Sequence, residues 1–372
     1  MQTADLDTDL SLFKYDNLSQ LPPAYRNLDA EDRERRIEAA LAELGDDVVI
    51  LGHNYQRREI VEHADFIGDS YQLSKEAAES DAEYVIFGGV TFMAESADII
   101  TDDDQQVILP SMEASCPMAG MAEALQVDSV WAKLTAATEE TVIPICYMNS
   151  YADLKAFCAE HGGLVCTSSN AADAFEWAFE RGDKVLFLPD KHLGTNTAHD
   201  LGLEDDTLVW DPWADDTDPK EIRENDVILW EGYCQVHERF RADHVEAVRE
   251  DHPEANVIVH PECRREVVEA ADRVGSTADI TRAVENADPG ETWAIGTEIH
   301  LANHLDRWHP DVEVLPLCGD ACMDCNAMRQ IDPNYLLWVL EELVEGHEQN
   351  VISVDPAAAD RAETALDRML EL

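Results

Sequence analysis

A short apolar strand followed by an Ala/Glu-rich helix recurs along this 372-residue chain and restricts its fold more than any other feature. Ten segments follow this order, and their strands read VVILGH, YVIFGG, QVILPS, VIPICY, LVCTSS, KVLFLPD, VILWEG, VIVHPEC, WAIGTE and VEVLPLC. Strands that alternate with helices indicate parallel sheets. Continuous apolar runs fit strands that helices cover on both faces. The sequence therefore predicts the α/β class.

The ten units fall into three sets, because the strand sequences VVILGHNY, VIPICYMN and VIVHPEC resemble one another. We expect three similar α/β domains around a shared centre, since ligands of such sheets collect at the carboxyl ends of the strands, where the polar motifs of this chain lie. The predicted division is an N-terminal arm at residues 1–33, domains at 34–128, 129–243 and 244–332, and closing helices at 333–372.

Acidic residues outnumber basic ones by 79 to 26, which gives a formal net charge of −53. Such a charge repels phosphates and argues against nucleic-acid binding. The acids are spread along the chain, so we interpret them as a solvated surface suited to the salty cytoplasm of a halophile. The sequence contains no run of 18 apolar residues that would predict a membrane span. The start, MQTADLDTDLSLF, does not resemble a secretory signal, so a cytoplasmic location is expected.

Nine cysteines are many for a cytoplasmic chain, where a disulfide framework is not expected. Three of them, Cys318, Cys322 and Cys325, form a C-x3-C-x2-C motif, while Cys116 and Cys234 stand alone at strand ends. A four-cysteine zinc site would need a second close pair. One cysteine from each domain would instead give three thiolates at the centre, and three ligands on a [4Fe–4S] cluster leave one iron open. Among the other cysteines, Cys146, Cys158 and Cys166 lie in apolar surroundings and are predicted to be buried thiols.

Two other cluster proteins fit part of this pattern. The C-x3-C-x2-C spacing also occurs in radical S-adenosylmethionine enzymes, but only 47 residues follow Cys325, too few to build their barrel. An electron carrier or iron sensor would need a fully ligated cluster and no proton-transfer residues. A single candidate thiolate per domain and polar motifs at the same strand ends favour catalysis over a carrier or sensor.

Eleven short motifs resemble, in order, those of the quinolinate synthase family. They are HNYQ (53–56), GDS (68–70), GGVTFMAE (88–95), SCPMA (115–119), CYMNS (146–150), CTSSNA (166–171), GYCQVH (232–237), HPEC (260–263), GST (275–277), GTE (296–298) and CNAM (325–328). The match covers nearly all of the chain outside its ends. The resemblance implies three α/β domains with pseudo-threefold symmetry around a central active site.

The resemblance also implies one [4Fe–4S] cluster on three cysteines, which by motif are Cys116, Cys234 and Cys325. The triplet then supplies a single ligand, and the roles of Cys318 and Cys322 stay open. Because the two thiols are four residues apart, we hypothesise that they form a reversible disulfide that acts as a redox switch.

The implied reaction condenses iminoaspartate with dihydroxyacetone phosphate to quinolinate, phosphate and water in de novo NAD biosynthesis, with the open iron as a Lewis acid. An aspartate-oxidising enzyme is the expected source of iminoaspartate. The residues that match the family's acid–base and substrate-contacting groups are His53, Tyr55, Tyr147, His260 and Glu262. Further substrate contacts are expected from Ser70, Asn149, Ser168, Ser276 and Thr277. Helix capping is the alternative role for these hydroxyls, and Glu262 is expected to have a raised pKa beside anionic substrates.

Overall fold

The computed structural model describes residues 21–102, 104–214, 217–319, 322 and 324–372. Residues 1–20 of the predicted arm therefore lie outside the described part. The named strands form three separate sheets, and every strand pair within them is parallel. The predicted α/β class with three similar units is thus confirmed, and the strands are not joined into one barrel.

The first sheet has the order β2-β1-β3-β4. Its strands are β1 (Val48–His53), β2 (Phe66–Gly68), β3 (Tyr84–Gly88) and β4 (Gln106–Ile108). The helices of this unit are α1 (Ala30–Leu44), α2 (Arg58–Val61), α3 (Ser70–Glu79) and α4 (Thr91–Ile100). All six residues of β1 are buried, as expected for a central strand between two helical layers.

The second sheet repeats this order and adds one strand, giving β6-β5-β7-β9-β8. Its strands are β5 (Val142–Tyr147), β6 (Leu164–Cys166), β7 (Lys184–Leu188), β8 (Thr207–Trp210) and β9 (Val227–Trp230). The accompanying helices are α5 (Ala124–Ala137), α6 (Ala152–Glu160), α7 (Ala171–Phe179), α8 (Lys191–Asp200) and α9 (Pro219–Glu224). The predicted buried thiols Cys146, Cys158 and Cys166 lie in the core of this unit, which confirms that interpretation.

The third sheet has the order β11-β10-β12-β13, which matches the first. Its strands are β10 (Asn256–Val259), β11 (Arg273–Val274), β12 (Thr292–Gly296) and β13 (Glu313–Pro316). The helices are α10 (Ala242–Asp251), α11 (Arg265–Ala270), α12 (Thr277–Glu285) and α13 (Ile299–Trp308). Each sheet falls within one of the three predicted domain ranges, although the boundaries at 128/129 and 243/244 lie inside α5 and α10. The ranges therefore stay a prediction.

Two C-terminal helices, α14 (Pro333–Val344) and α15 (Pro356–Leu370), return to the earlier units. Helix α14 packs against α1, where Glu341 accepts hydrogen bonds from Tyr25 and from the Arg36 guanidinium. Helix α15 packs against α6 and β6. The chain end thus covers the first and second sheets. Within the described residues, none of the helices is long and apolar enough to cross a membrane.

Candidate active site

Residues that follow strands of all three sheets line one concave cavity, the kind of site in which proteins bind small molecules. Of the site residues predicted from the sequence, all but Ser276 line this cavity. They are His53, Tyr55, Ser70, Cys116, Tyr147, Asn149, Ser168, Cys234, His260, Glu262, Thr277 and Cys325. The parallel sheets bring them together because each sheet presents the carboxyl ends of its strands to the same centre.

Three free thiols enter the cavity, one from each unit: Cys116 after β4, Cys234 after β9 and Cys325 after β13. Backbone N–H groups of the following turn lie near each sulfur and partly lower its pKa; they belong to Met118 and Ala119 for Cys116, to His237 for Cys234, and to Ala327 and Met328 for Cys325. Burial raises the pKa of Cys116 to about 12 and the pKa of Cys325 to about 11, and it also raises the pKa of Cys234. The thiols lie close enough for the charge of one to raise the pKa of another. A bound cation would be needed to hold all three as thiolates.

The other two cysteines of the C-x3-C-x2-C motif have a different partner, since Cys318 and Cys322 form a disulfide. The hypothesis that these two thiols pair is therefore confirmed, whereas their use as a redox switch stays a prediction. The motif is divided between a disulfide and one free thiol that faces the cavity.

A second set of metal-binding groups overlaps the first. Ligand atoms of Cys234, His237 and Glu262 lie within 4.8 Å of one another. However, both ring nitrogens of His237 already have partners, because Nδ1 lies 2.5 Å from Glu262 Oε2 and Nε2 lies 2.9 Å from Thr297 Oγ1. A metal on this set would have to replace those hydrogen bonds. The three thiols have no such competing side-chain contacts among the described hydrogen bonds, so they fit a metal centre better.

His53 and His260 share one local structure at equivalent strand ends. His53 Nδ1 accepts the backbone N–H of Tyr55 at 3.0 Å, and His260 Nδ1 accepts that of Glu262 at 3.3 Å. Burial lowers the pKa of each histidine to about 3. Both rings are therefore neutral at pH 7 with the proton on Nε2. Each can donate one hydrogen bond to an anionic group in the cavity.

Glu262 forms the centre of a buried hydrogen-bond network. His237 joins it to Thr297, and Thr297 Oγ1 lies 2.7 Å from the Tyr55 hydroxyl. The Tyr147 hydroxyl also contacts the Glu262 carboxylate. Burial would raise the pKa of Glu262, but His237, His260 and Tyr147 outweigh this effect and lower it to about 2. The expectation of a raised pKa was wrong, because sequence reasoning did not place two histidines beside this carboxylate.

The two tyrosines are neutral hydrogen-bond donors. Burial raises the pKa of both Tyr55 and Tyr147 well above 10, and the Glu262 charge raises both further. Each hydroxyl proton is thus retained at neutral pH. Glu262 Oε1 is buried without a hydrogen-bond partner among the described residues, so one oxygen of this carboxylate remains available to a bound molecule.

Hydroxyl groups from all three units lie at helix starts around the cavity. Ser70 begins α3, Ser168 lies in the turn before α7, and Thr277 begins α12. Positively polarised N–H groups at such helix starts favour anions. Ser276 instead caps α12, where its hydroxyl lies 2.7 Å from Asp279 and accepts the Asp279 N–H at 3.3 Å. Its substrate-binding role stays a prediction.

Sequence reasoning gave His237 and Thr297 no role, although both connect predicted site residues. The signal for His237 was its place in GYCQVH, three residues after a cavity cysteine and one helical turn away from it. Thr297 follows β12 in GTE and faces Tyr55 across a sheet boundary. A contact between residues 242 positions apart leaves no trace in a single sequence.

Comparison with known proteins agrees with this arrangement. Residues 35–371 match the model of the family described as "Quinolinate synthetase A protein". Over the full length of both chains, a protein from Haloarcula marismortui is 79% identical and one from Halobacterium salinarum is 76% identical. A protein from Acidobacterium capsulatum is 50% identical over 94% of this chain and 95% of its own. All three are named "Quinolinate synthase". The chain therefore belongs to the quinolinate synthetase A protein family.

Proposed function

We propose that this protein is a quinolinate synthase that condenses iminoaspartate with dihydroxyacetone phosphate to quinolinate, phosphate and water in de novo NAD biosynthesis. The observation that supports it most is one cavity that receives a free thiol from each of three similar units and contains an acid–base network beside them. Family membership supports the same activity.

We infer that Cys116, Cys234 and Cys325 hold one [4Fe–4S] cluster. When bound, the cluster supplies positive charge and one open iron that acts as a Lewis acid without redox change. Two features of this chain support the choice of ligands. Backbone N–H groups near each sulfur favour its thiolate form, and each cysteine lies half-buried at the cavity wall.

Local donors bind the anionic substrates in a protein whose net charge repels them. Neutral His53 and His260 would each donate from Nε2 to a carboxylate or phosphate oxygen. The hydroxyls of Ser70, Ser168 and Thr277, together with the helix starts beside them, suit a phosphate group. Asn149 on the cavity wall can hold a carboxylate with its amide. All of these histidine, hydroxyl and amide groups are neutral, so they bind the anionic substrates without adding positive charge to the cavity.

Proton transfer is assigned to Glu262, Tyr55 and Tyr147. Glu262 Oε1 is buried without a hydrogen-bond partner among the described residues, so this oxygen can accept a proton from a bound substrate. Tyr55 and Tyr147 retain their protons and can donate them to a leaving oxygen. The Glu262–His237–Thr297–Tyr55 hydrogen bonds then offer a route for returning a proton between the two groups. We further propose a cytoplasmic location, with an aspartate-oxidising enzyme as the source of iminoaspartate.

The test is an anaerobic assay in molar salt of quinolinate formation from dihydroxyacetone phosphate, with iminoaspartate generated in the reaction. Each ligand variant, Cys116→Ala, Cys234→Ala or Cys325→Ala, is expected to lose iron and product together. Cys322→Ala is the matched control, because Cys322 comes from the same motif but pairs with Cys318 and does not line the cavity. Under reducing conditions this variant should retain both iron and product.

A native sample with four irons per chain and no product would overturn the proposed reaction while leaving the cluster in place. An electron carrier is the alternative that this outcome would favour. A substrate analogue distinguishes the two, since it should perturb the cluster spectrum only if one iron is open.

A further inference from the structure

Two buried carboxylates occupy equivalent places in the second and third units. Asp190 lies two residues beyond β7, and Glu298 lies two residues beyond β12. Each caps the helix that follows, since Asp190 Oδ1 accepts the Leu193 N–H at 2.8 Å and Glu298 Oε2 accepts the His300 N–H at 2.7 Å. Both residues are 0% exposed to solvent. Their helices, α8 and α13, therefore start beside the cavity on an acidic cap.

The second oxygen of each carboxylate binds a cavity cysteine. Asp190 Oδ2 accepts the backbone N–H of Cys234 at 3.0 Å, and Glu298 Oε1 accepts the backbone N–H of Cys325 at 3.0 Å. Glu298 Oε1 also lies 2.9 Å from His300 Nδ1. Each carboxylate thus hydrogen-bonds both to the start of a helix and to the loop that carries the cysteine after the neighbouring strand. Each acid therefore binds the backbone of a cysteine that lines the cavity.

The first unit makes the corresponding junction without an acid. Val90 occupies the cap position of α4. The next residue, Thr91, binds the loop that carries Cys116. Its N–H and its hydroxyl both donate to the Ala114 carbonyl, at 2.9 Å and 3.1 Å, two residues before Cys116. The same junction therefore recurs at every cavity cysteine, with different groups making the bonds.

A neutral Ser, Thr or Asn would cap a helix as well as an acid does. Burying a carboxylate is costly unless its oxygens accept several hydrogen bonds. What a carboxylate adds at these positions is a second oxygen, able to accept a donor from another loop while the first oxygen caps the helix. In both units that second donor is a cysteine N–H, which the capping role alone does not explain.

We propose that Asp190 and Glu298 are positioning residues that fix the loops of Cys234 and Cys325 so that the two thiols face one metal centre. The inference rests on the proposed function, because it takes these cysteines as cluster ligands. Partners of metal ligands outside the coordination shell commonly change metal affinity about 10- to 100-fold when they are removed.

The experiment measures how fast the intact chain loses its cluster. Asp190→Ala, Glu298→Ala, Asp190→Asn and Glu298→Gln are reconstituted anaerobically with iron and sulfide in molar salt, and iron per chain, the visible spectrum and the rate of bleaching by an iron chelator are recorded. The alanine variants are expected to bleach about 10-fold faster or more than the native chain. The amide variants should be intermediate, because one amide oxygen can serve the helix or the cysteine but not both.

Asp355→Ala is the matched control. Asp355 caps α15 by accepting the N–H groups of Ala357 and Ala358, and it has no contact with the cavity cysteines. Folded alanine variants that bleach no faster than this control would overturn the proposal. If circular dichroism shows that the alanine variants are unfolded, the amide variants provide the test. Amide variants that bleach at the rate of the control would also overturn the proposal. A folded native chain that takes up no iron would overturn the cofactor assignment itself, which is a separate failure.

Discussion

Two buried histidines give this protein a specific response to acid. His53 and His260 are almost fully buried and neutral, with pKa values lowered to about 3 by burial. In the unfolded chain a histidine has a pKa near 6.5. Because the folded pKa lies below the unfolded one, their contribution to stability is complete above pH 6.5 and is lost as the pH falls towards 3. Acid destabilisation should therefore begin before the carboxylates protonate.

We expect His53 alone to lower the free energy of unfolding by about 2 kcal/mol between pH 7 and pH 5. The variant His53→Gln should lack this part of the pH dependence, as measured by urea unfolding in molar potassium chloride at both pH values. His347→Gln is the control, because His347 is exposed at the surface. An unchanged difference between pH 7 and pH 5 in His53→Gln would contradict the prediction.

Site residues could be predicted from the sequence where a short motif determines its own local hydrogen bonds. H-x-Y and H-x-E fix a histidine tautomer through a bond two residues along the chain, and both histidines face the cavity. Prediction failed for the Glu262 pKa, because His237 comes from another unit. A group's charge state depends on all of its neighbours, and most neighbours of Glu262 are distant in sequence.

At the level of elements, helix α8 of the second unit supports the acid–base loop of the third. The Asn196 amide donates to the carbonyls of Pro261 and Cys263, at 2.7 Å and 2.9 Å. These two carbonyls flank Glu262, and Asn196 is buried with them. One side chain thus fixes the backbone on both sides of the proposed base.

The variant Asn196→Ala should lower kcat by about 10- to 100-fold, since a small displacement of a catalytic group has effects of that size. It should also cost about 1–3 kcal/mol of stability, because two buried carbonyls lose their donor. The measurements are steady-state kinetics and urea unfolding. Asn225→Ala is the control, since the Asn225 amide binds a backbone carbonyl at an exposed site. Native kcat in a folded Asn196→Ala protein would exclude the positioning role.

The ten strands predicted from the sequence are all present, and the structure adds β2, β8 and β11. Each added strand lies at one edge of its sheet. Both residues of β11 and two of the three residues of β2 are exposed, so these strands lack the apolar run that marks a buried one. Strand β6 is also at an edge, but α15 covers it and its three residues are buried and apolar. Whether a strand can be predicted from its apolar run therefore depends on how deeply the strand is buried, more than on whether it lies at the edge or the centre of its sheet.

For the whole molecule, the net charge of −53 governs stability as a function of salt. Repulsion between unscreened acids favours the expanded chain, and screening at molar salt removes most of it. The melting temperature should rise on the order of 10 °C between dilute buffer and molar potassium chloride. Sodium chloride at equal concentration should act similarly, because screening depends on ionic strength. A melting temperature independent of salt would contradict this prediction.

Because the C-terminal residues pack against the first unit, the core of that unit can be completed only late in synthesis of the chain. Residues between Ala327 and Ile352 complete the core around β1, β3 and β4, and the third cavity thiol is residue 325 of 372. Synthesis must therefore reach residue 325 before the three thiols can meet, and Ile352 before the core around the first sheet is complete. Under the proposed ligand assignment, a cluster can gain all three of its thiolate ligands only after the strands of all three sheets have been synthesised.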